Sequence, residues 1–298
     1  MKGKISIIIK EIIKKLLQDI KDADMVLVGI GDELQEKYAE LFENHANDDK
    51  VNTDENANTV NKSEQFFIDK IMKEIQNTDN YNFQTEFQKM EILNKKTDSE
   101  IEIVNAYNVL AEVLKEKNYF IVTLNTDGYI EKSILDSERI VEPCGNYNYM
   151  QCSNRCSDTL YKTMEILKKH SIEDSKQSDK TILCEKCGKP IIFNNIQAEK
   201  YIEDRYLPMW GKYTEWIQST LNKKLIILEL GVGLQFPNVI RWPFERVALI
   251  NKKAKFYRVH SNLCQLSEDL SEKGIGIETV PVQFLLNDIN KSIPNEIV

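Results

Sequence analysis

The chain has 298 residues, 42% hydrophobic and 29% charged, the composition of a soluble globular protein with room for one large domain or two unequal ones. Lysine and arginine number 39 against 47 aspartate and glutamate, a formal charge of −8, which argues against nucleic acid or an anionic membrane as partner because both need a basic face. A small anionic ligand is not excluded, since a few local amides suffice to hold it.

No segment reaches the roughly 20 apolar residues of a membrane span. In the first stretch, Ile8, Ile9, Ile12, Ile13, Leu16, Leu17 and Ile20 recur every three or four residues, one face of an amphipathic helix expected to pack on the main core. Lysines interrupt its apolar runs, so it is not read as a signal peptide, and the expected location is the reducing cytoplasm. There, six cysteines point to metal or catalysis before disulfides.

Met25-Val26-Leu27-Val28-Gly29 reads as a buried strand, Gly29-Ile30-Gly31 as a turn, and DELQEKYAELFEN as a helix with Leu34, Tyr38, Leu41 and Phe42 on one side. Residues 44–62 are Asn/Asp-rich and polar, a mobile loop or lid, or disorder. Helical patterns return over 64–76 and 100–117, a second strand covers 119–123, and a short third lies near Ile140-Val141. After the cysteine-bearing stretch come a helix at about 199–221, the strand KLIILEL (224–230), a second Gly-rich turn and a helix from about 238. AKFYRV (254–259), a helix near 264–272 and GIETV (276–280) complete the series. Apolar strands alternating with helices predict an α/β fold: a doubly wound, Rossmann-like parallel sheet with a small inserted zinc-binding domain. The expected boundaries are 1–143 and 205–298 for the nucleotide-binding domain and 144–204 for the insertion.

Cys152-x3-Cys156 and Cys184-x2-Cys187, the latter in a CEKCGKP knuckle, are two short-spaced thiol pairs able to converge on one tetrahedral Zn²⁺. Four thiolates leave no open coordination position, so the ion would be structural. Cys264 stands alone as a core residue. Gly29-Ile30-Gly31 and Gly231-Val232-Gly233 each follow a strand and precede a helix, where a dinucleotide pyrophosphate can approach the backbone. Asp32 and Glu33 follow the first turn, and there the plain alternative is a capped helix start without a ligand. Thr123-Leu124-Asn125-Thr126-Asp127 ends its strand with an amide and a carboxylate two residues apart, aimed at a crevice or closing an Asx turn.

In this order, the motifs resemble the sirtuin superfamily, and most closely its macrodomain-linked bacterial class, whose members transfer ADP-ribose to protein. The likeness is carried by QCSNRC (151–156), CEKCGKP (184–190) and LELGVGLQFPNVIRWPFE (228–245), within a match covering about residues 20–290. It implies NAD⁺ as co-substrate and a structural Zn²⁺ on Cys152, Cys156, Cys184 and Cys187. Asn125 would organise the nicotinamide ribose and Asp127 would contact the carboxamide. Gly29, Ile30, Gly31, Thr123, Gly231, Val232, Gly233 and His260 would line the rest of the cofactor site.

The chain departs from the family's deacylases at several positions. Their His-Gly is Cys144-Gly145 here, and Cys144 is the candidate for the base if its thiolate is stabilised. Glu33 stands where a serine follows the first Gly-x-Gly, Leu124 replaces a glutamine, and Gln197 occupies the place of an arginine in the macrodomain-linked class. His45 and His170 lie outside the pattern, and His260 ends a strand where the family often has asparagine. The resulting expectation is ADP-ribosyl transfer to an acceptor protein, or NAD⁺ cleavage, ahead of lysine deacylation. A sirtuin-like protein that binds NAD⁺ or ADP-ribose without turnover is the alternative.

Overall fold

The computed structural model describes residues 2–35, 98–166 and 182–292. The expectations for residues 36–97, including the polar loop with His45 and the helical pattern at 64–76, lie outside these, as does His170. The described residues form two compact units, one of 2–35, 98–144 and 205–292, the other of 145–166 and 182–204.

The first unit is built on a six-stranded, wholly parallel sheet. Its strands are β1 (Met25–Ile30), β2 (Asn118–Thr123), β3 (Ile140–Val141), β7 (Leu225–Leu230), β8 (Lys255–His260) and β9 (Gly274–Glu278). They lie in the order β3-β2-β1-β7-β8-β9. Strands are added outward in one direction from β1 and then in the other from β7, the Rossmann order, with the reversal between β1 and β7. All six residues of β1 and of β7 are buried, which is why both read as apolar runs, broken only by Glu229 in β7.

Alternate residues of β1 feed two cores. Val26, Val28 and Ile30 join Ile13, Leu16 and Ile20 of helix α1 (Lys2–Asp22) and Ile103, Ala106, Tyr107 and Leu110 of α2 (Asp98–Leu114). Met25 and Leu27 join Tyr213 of α3 (Leu207–Ser219) and Phe244 and Ala248 of α4 (Arg241–Ile250). The N-terminal amphipathic face is therefore a core face. A charged cluster is buried within the sheet: Arg258 on β8 donates to Glu229, its register partner on β7, at 2.6 Å and to Glu245 at 2.7 Å.

Three boundaries differ from expectation. The helix expected from Asp32 begins as a 3₁₀ turn over Asp32–Leu34 followed by extended backbone at Gln35, and the rest of its expected length lies outside the described residues. The Leu34 carbonyl, which a continuing helix would use internally, accepts from side chains of Tyr107 and Asn125 instead. The helix expected near 264–272 is a 3₁₀ turn at Glu268–Leu270, and the last strand lies two residues earlier than GIETV.

The second unit carries an antiparallel sheet with β4 (Gly145–Cys152) between β5 (Tyr161–Lys162) and β6 (Ile191–Asn195). Its small core of Met150, Ile182, Ile191 and Phe193 includes two cysteines, Cys152 and Cys184. The buried Gln151 amide accepts from Asn194 and the Ile202 N–H and donates to the Lys200 carbonyl, so a polar side chain braces the centre.

Candidate functional site

In the first unit, the parallel register brings the strand tips level. Ile30 pairs with Thr123 on one side and Leu230 on the other. The ladder continues one residue beyond each strand: Leu124 N–H donates to Ile30, Gly31 to Leu230, and Gly231 to Val259, at 2.8–3.0 Å. Four loops are thus stitched at the carboxyl edge where the strand order reverses, the place at which doubly wound sheets bind ligands.

The two glycine turns interlock. A Cβ on Gly31 would lie 2.4 Å from the Gly231 carbonyl oxygen, and one on Gly231, which has φ +65°, would lie 2.6 Å from the Glu33 side chain. Gly233 faces Asp32 just as closely. Gly29 serves another purpose: it lies within β1, and its missing side chain makes room for Ile240 and Phe244 of the helix that crosses there. Close approach of α4 to the sheet, rather than of a phosphate to the backbone, accounts for it.

The acidic pair after the first turn is turned aside. The Glu33 carboxylate accepts from the backbone N–H of Ser261 at 2.9 Å and from the Ser261 hydroxyl. Its charge is spent on the loop after β8. His260 Nδ1 lies 3.2 Å from the same carboxylate but accepts from the N–H groups of Asn262 and Leu263, both at 3.1 Å. A nitrogen accepting two N–H groups carries no proton, so we read a neutral Nε2–H imidazole here rather than an ion pair. Burial, ahead of the opposing pull of Glu33, holds the His260 pKa below its ordinary value. Arg241, buried at the start of α4, donates to the carbonyls of Val232 and Leu263, tying the loops after β7 and β8 together.

Asn125 is buried at 2% exposure. Its backbone N–H is held by the Thr123 hydroxyl, and its Nδ2 donates to the Leu34 carbonyl at 2.8 Å and to the Tyr107 hydroxyl at 3.1 Å. Its Oδ1 is buried without a hydrogen-bond partner. Such an orphaned acceptor is destabilising unless a ligand or water donor meets it. Asp127, also buried, accepts from the Tyr129 N–H, the Asx-turn alternative of the sequence, and starts a 3₁₀ turn at Tyr129–Lys132. Tyr107, absent from the sequence reading, is the added member of this group.

Cys144, the candidate base, is buried, and burial pushes its thiol up to about 12. The stabilised thiolate that the role requires is not supplied, and at neutral pH the group is a protonated thiol.

In the second unit, the sulfurs of Cys152, Cys156, Cys184 and Cys187 lie within 4.8 Å of one another, and the closest pairs are 3.4 and 3.5 Å apart. Four thiolates at 2.3 Å from a central Zn²⁺ stand about 3.8 Å apart, so the quartet matches a tetrahedral ion. Two turns form the knuckles. Gly188 adopts φ +68° and its N–H donates to the Cys184 carbonyl, and Arg155 adopts φ 46° and donates to the Cys152 carbonyl. Ser153 N–H to the Pro190 carbonyl ties one knuckle to the other. Against the burial that would raise it, the N–H groups of Lys186 and Cys187 bring the Cys184 thiol down to about 7. Gln197 lies just beyond β6, with its backbone N–H on the Asn195 side chain. None of the six cysteines is in a disulfide. Among the described residues, no helix is long and apolar enough to cross a membrane.

No family model matches the chain. It is 25% identical over 195 residues to a protein ADP-ribosyltransferase of Staphylococcus aureus, covering 61% of each protein. It is 27% identical over 154 residues to a probable bifunctional ADP-ribose hydrolase/ADP-ribosyltransferase of Fusarium oxysporum, covering 48% of this chain and 26% of that protein. It therefore spans less than two thirds of the length of either relative. Among solved structures it is similar to a sirtuin examined for substrate affinity, at TM-score 0.53 and 16% identity over 94% of this chain and 98% of the other. Sir2Tm bound to a propionylated peptide matches with the same TM-score and coverage at 13% identity. The chain has the sirtuin fold.

Proposed function

We propose that this sirtuin-fold chain takes NAD⁺ as co-substrate and transfers its ADP-ribose to an acceptor protein. The observation that carries this is Asn125, an amide with both N–H groups committed to the protein and a buried, unpartnered Oδ1 at the tip of β2, the strand next to β1 at the sheet's carboxyl edge. That acceptor suits a ribose hydroxyl of the dinucleotide. The tips of β1, β2 and β7 lie level at this edge, and Glu33 is drawn off to Ser261, which removes one free carboxylate from the path of a pyrophosphate.

In the reaction, the bond between the ribose anomeric carbon and nicotinamide breaks, nicotinamide leaves with the electron pair, and an acceptor nucleophile attacks that carbon and gives up its proton. The developing charge is positive and lies on the sugar, so a fixed carbonyl dipole such as that of Asn125 stabilises it without taking a proton. Deacylation needs a base near neutral pH at the position of Cys144, and a thiol raised to about 12 does not provide one. This supports transfer over deacylation, as do the names of the two relatives.

Cys152, Cys156, Cys184 and Cys187 would hold a structural Zn²⁺, whose role is to close the two knuckles. Six free thiols favour the reducing cytoplasm.

The test is release of nicotinamide from NAD⁺ by the purified chain, with and without candidate acceptor proteins. Release that Asn125→Ala abolishes supports the reading. No release together with an NAD⁺-dependent rise in melting temperature replaces it with binding without turnover, and neither response ends it.

A further inference from the structure

We infer that Tyr107 is a positioning residue that locks the orientation of the Asn125 amide, so that Oδ1 and not Nδ2 is presented to the ligand. The inference rests on the proposed use of Asn125 and adds a residue, on a different element, that makes that use possible.

An asparagine amide is nearly symmetric in shape and turns over unless its hydrogen bonds distinguish its two ends. The Leu34 carbonyl can only accept, so the atom 2.8 Å from it must be the NH2 group. A tyrosine hydroxyl can donate or accept. The single Tyr107 hydrogen goes to the same Leu34 carbonyl at 3.1 Å, which leaves the phenol oxygen as an acceptor for the second N–H of Asn125 at 3.1 Å. The three groups close a ring of hydrogen bonds in which every donor hydrogen is used. Turning the amide over would set Oδ1 against the Leu34 carbonyl and put Nδ2 where Oδ1 now stands. The ligand would then meet a donor instead of an acceptor.

The ring is buried. Tyr107 is fully enclosed in the core formed with α1 and β1, so no water competes for the phenol. Burial first, and then the negative charge of Asp127, raise its pKa well above the ordinary tyrosine value, which keeps the hydrogen in place. Leu34 belongs to the turn after β1, Asn125 to the tip of β2, and Tyr107 to the helix between them, 18 residues before the asparagine. The triad therefore also fixes the first glycine turn to the tip of β2.

Tyr107→Phe removes the hydroxyl and keeps the ring. It should lower kcat for nicotinamide release about tenfold, the effect of one buried hydrogen bond, and leave KM for NAD⁺ within about twofold. In protein labelled with 15N-asparagine, one side-chain NH2 signal, identified by its loss in Asn125→Asp, should exchange slowly with solvent and exchange at least about tenfold faster in Tyr107→Phe. An unchanged kcat, or unchanged exchange at Asn125, overturns the inference. If the wild-type chain releases no nicotinamide while its Asn125 signal is protected and Tyr107→Phe exposes it, the lock stands and the transfer reading falls.

Discussion

Gly31 and Gly231 face each other so closely that a Cβ on the first would lie 2.4 Å from the carbonyl oxygen of the second. Because the opposing atom belongs to the backbone, no side chain can move aside to relieve the overlap, and each turn holds the other in shape. Gly31→Ala should lower the stability of the fold by about 1–3 kcal/mol in urea unfolding and remove any NAD⁺-dependent rise in melting temperature. Gly211, exposed on α3 with nothing within 4 Å, is the counterpart. There alanine should stabilise by about 0.5–1 kcal/mol through helix propensity alone. A Gly31→Ala protein as stable as the parent would mean that the turns do not interlock.

Cys144→Ser should leave nicotinamide release within about twofold of the parent, since a protonated buried thiol does no acid–base work at neutral pH. The same thiol makes stability depend on pH at the alkaline end. Its native pKa of about 12 stands above a thiol's ordinary value of 9.0. Below 9 both states keep the proton and stability is unaffected. Between 9 and 12 the unfolded chain releases a proton that the native chain retains, so stability falls as pH rises. Urea midpoints measured across that range should drop less steeply in Cys144→Ser, and parallel slopes would contradict the assignment.

The cysteine quartet should bind about one zinc per chain by metal analysis. Chelation should make four thiols newly reactive to a thiol reagent, since free knuckles lose the ion that fixes them. Cys184→Ser should lower the bound metal below stoichiometric and reduce the melting temperature. A metal-free protein of undiminished melting temperature would leave the quartet as packing cysteines only.

Removing the carboxylate of Glu229 isolates half of the charge on a guanidinium that is 2% exposed. Glu229→Ala should therefore cost about 3–5 kcal/mol, the range for breaking one side of a buried pair. Glu245, which is more exposed, should be less costly to remove. Equal losses at the two positions would show that burial does not set the difference.

The fully buried strands β1 and β7 were legible as mainly apolar runs because parallel strands covered on both faces have no solvent side; Glu229 is the exception in β7, and its partner Arg258 lies on the next strand. The cysteine pairs were equally legible, since knuckle geometry is local and spacing carries it. What escaped the sequence depends on distant partners. Gly29 looked like part of a phosphate turn, and only the path of α4 shows Phe244 filling its place. Glu33 looked like one of two carboxylates at a helix start, because Ser261, its partner, lies 228 residues further along. Tyr107 was one aromatic among the apolar residues of a helix, and nothing in its neighbours in sequence tells that its hydroxyl meets Asn125. The 3₁₀ turn at the start of the helix expected from Asp32 has the same origin, since side chains from elsewhere claim the Leu34 carbonyl.

Arg241 grips the Val232 and Leu263 carbonyls with one guanidinium, and this joins the fates of two segments that are some thirty residues apart. Both acceptors are main-chain carbonyls, so a segment of any sequence keeps its half of the grip as long as its backbone follows the same path. Changes of residue type should therefore be tolerated in either segment, whereas an insertion or deletion in one should disturb the other as well.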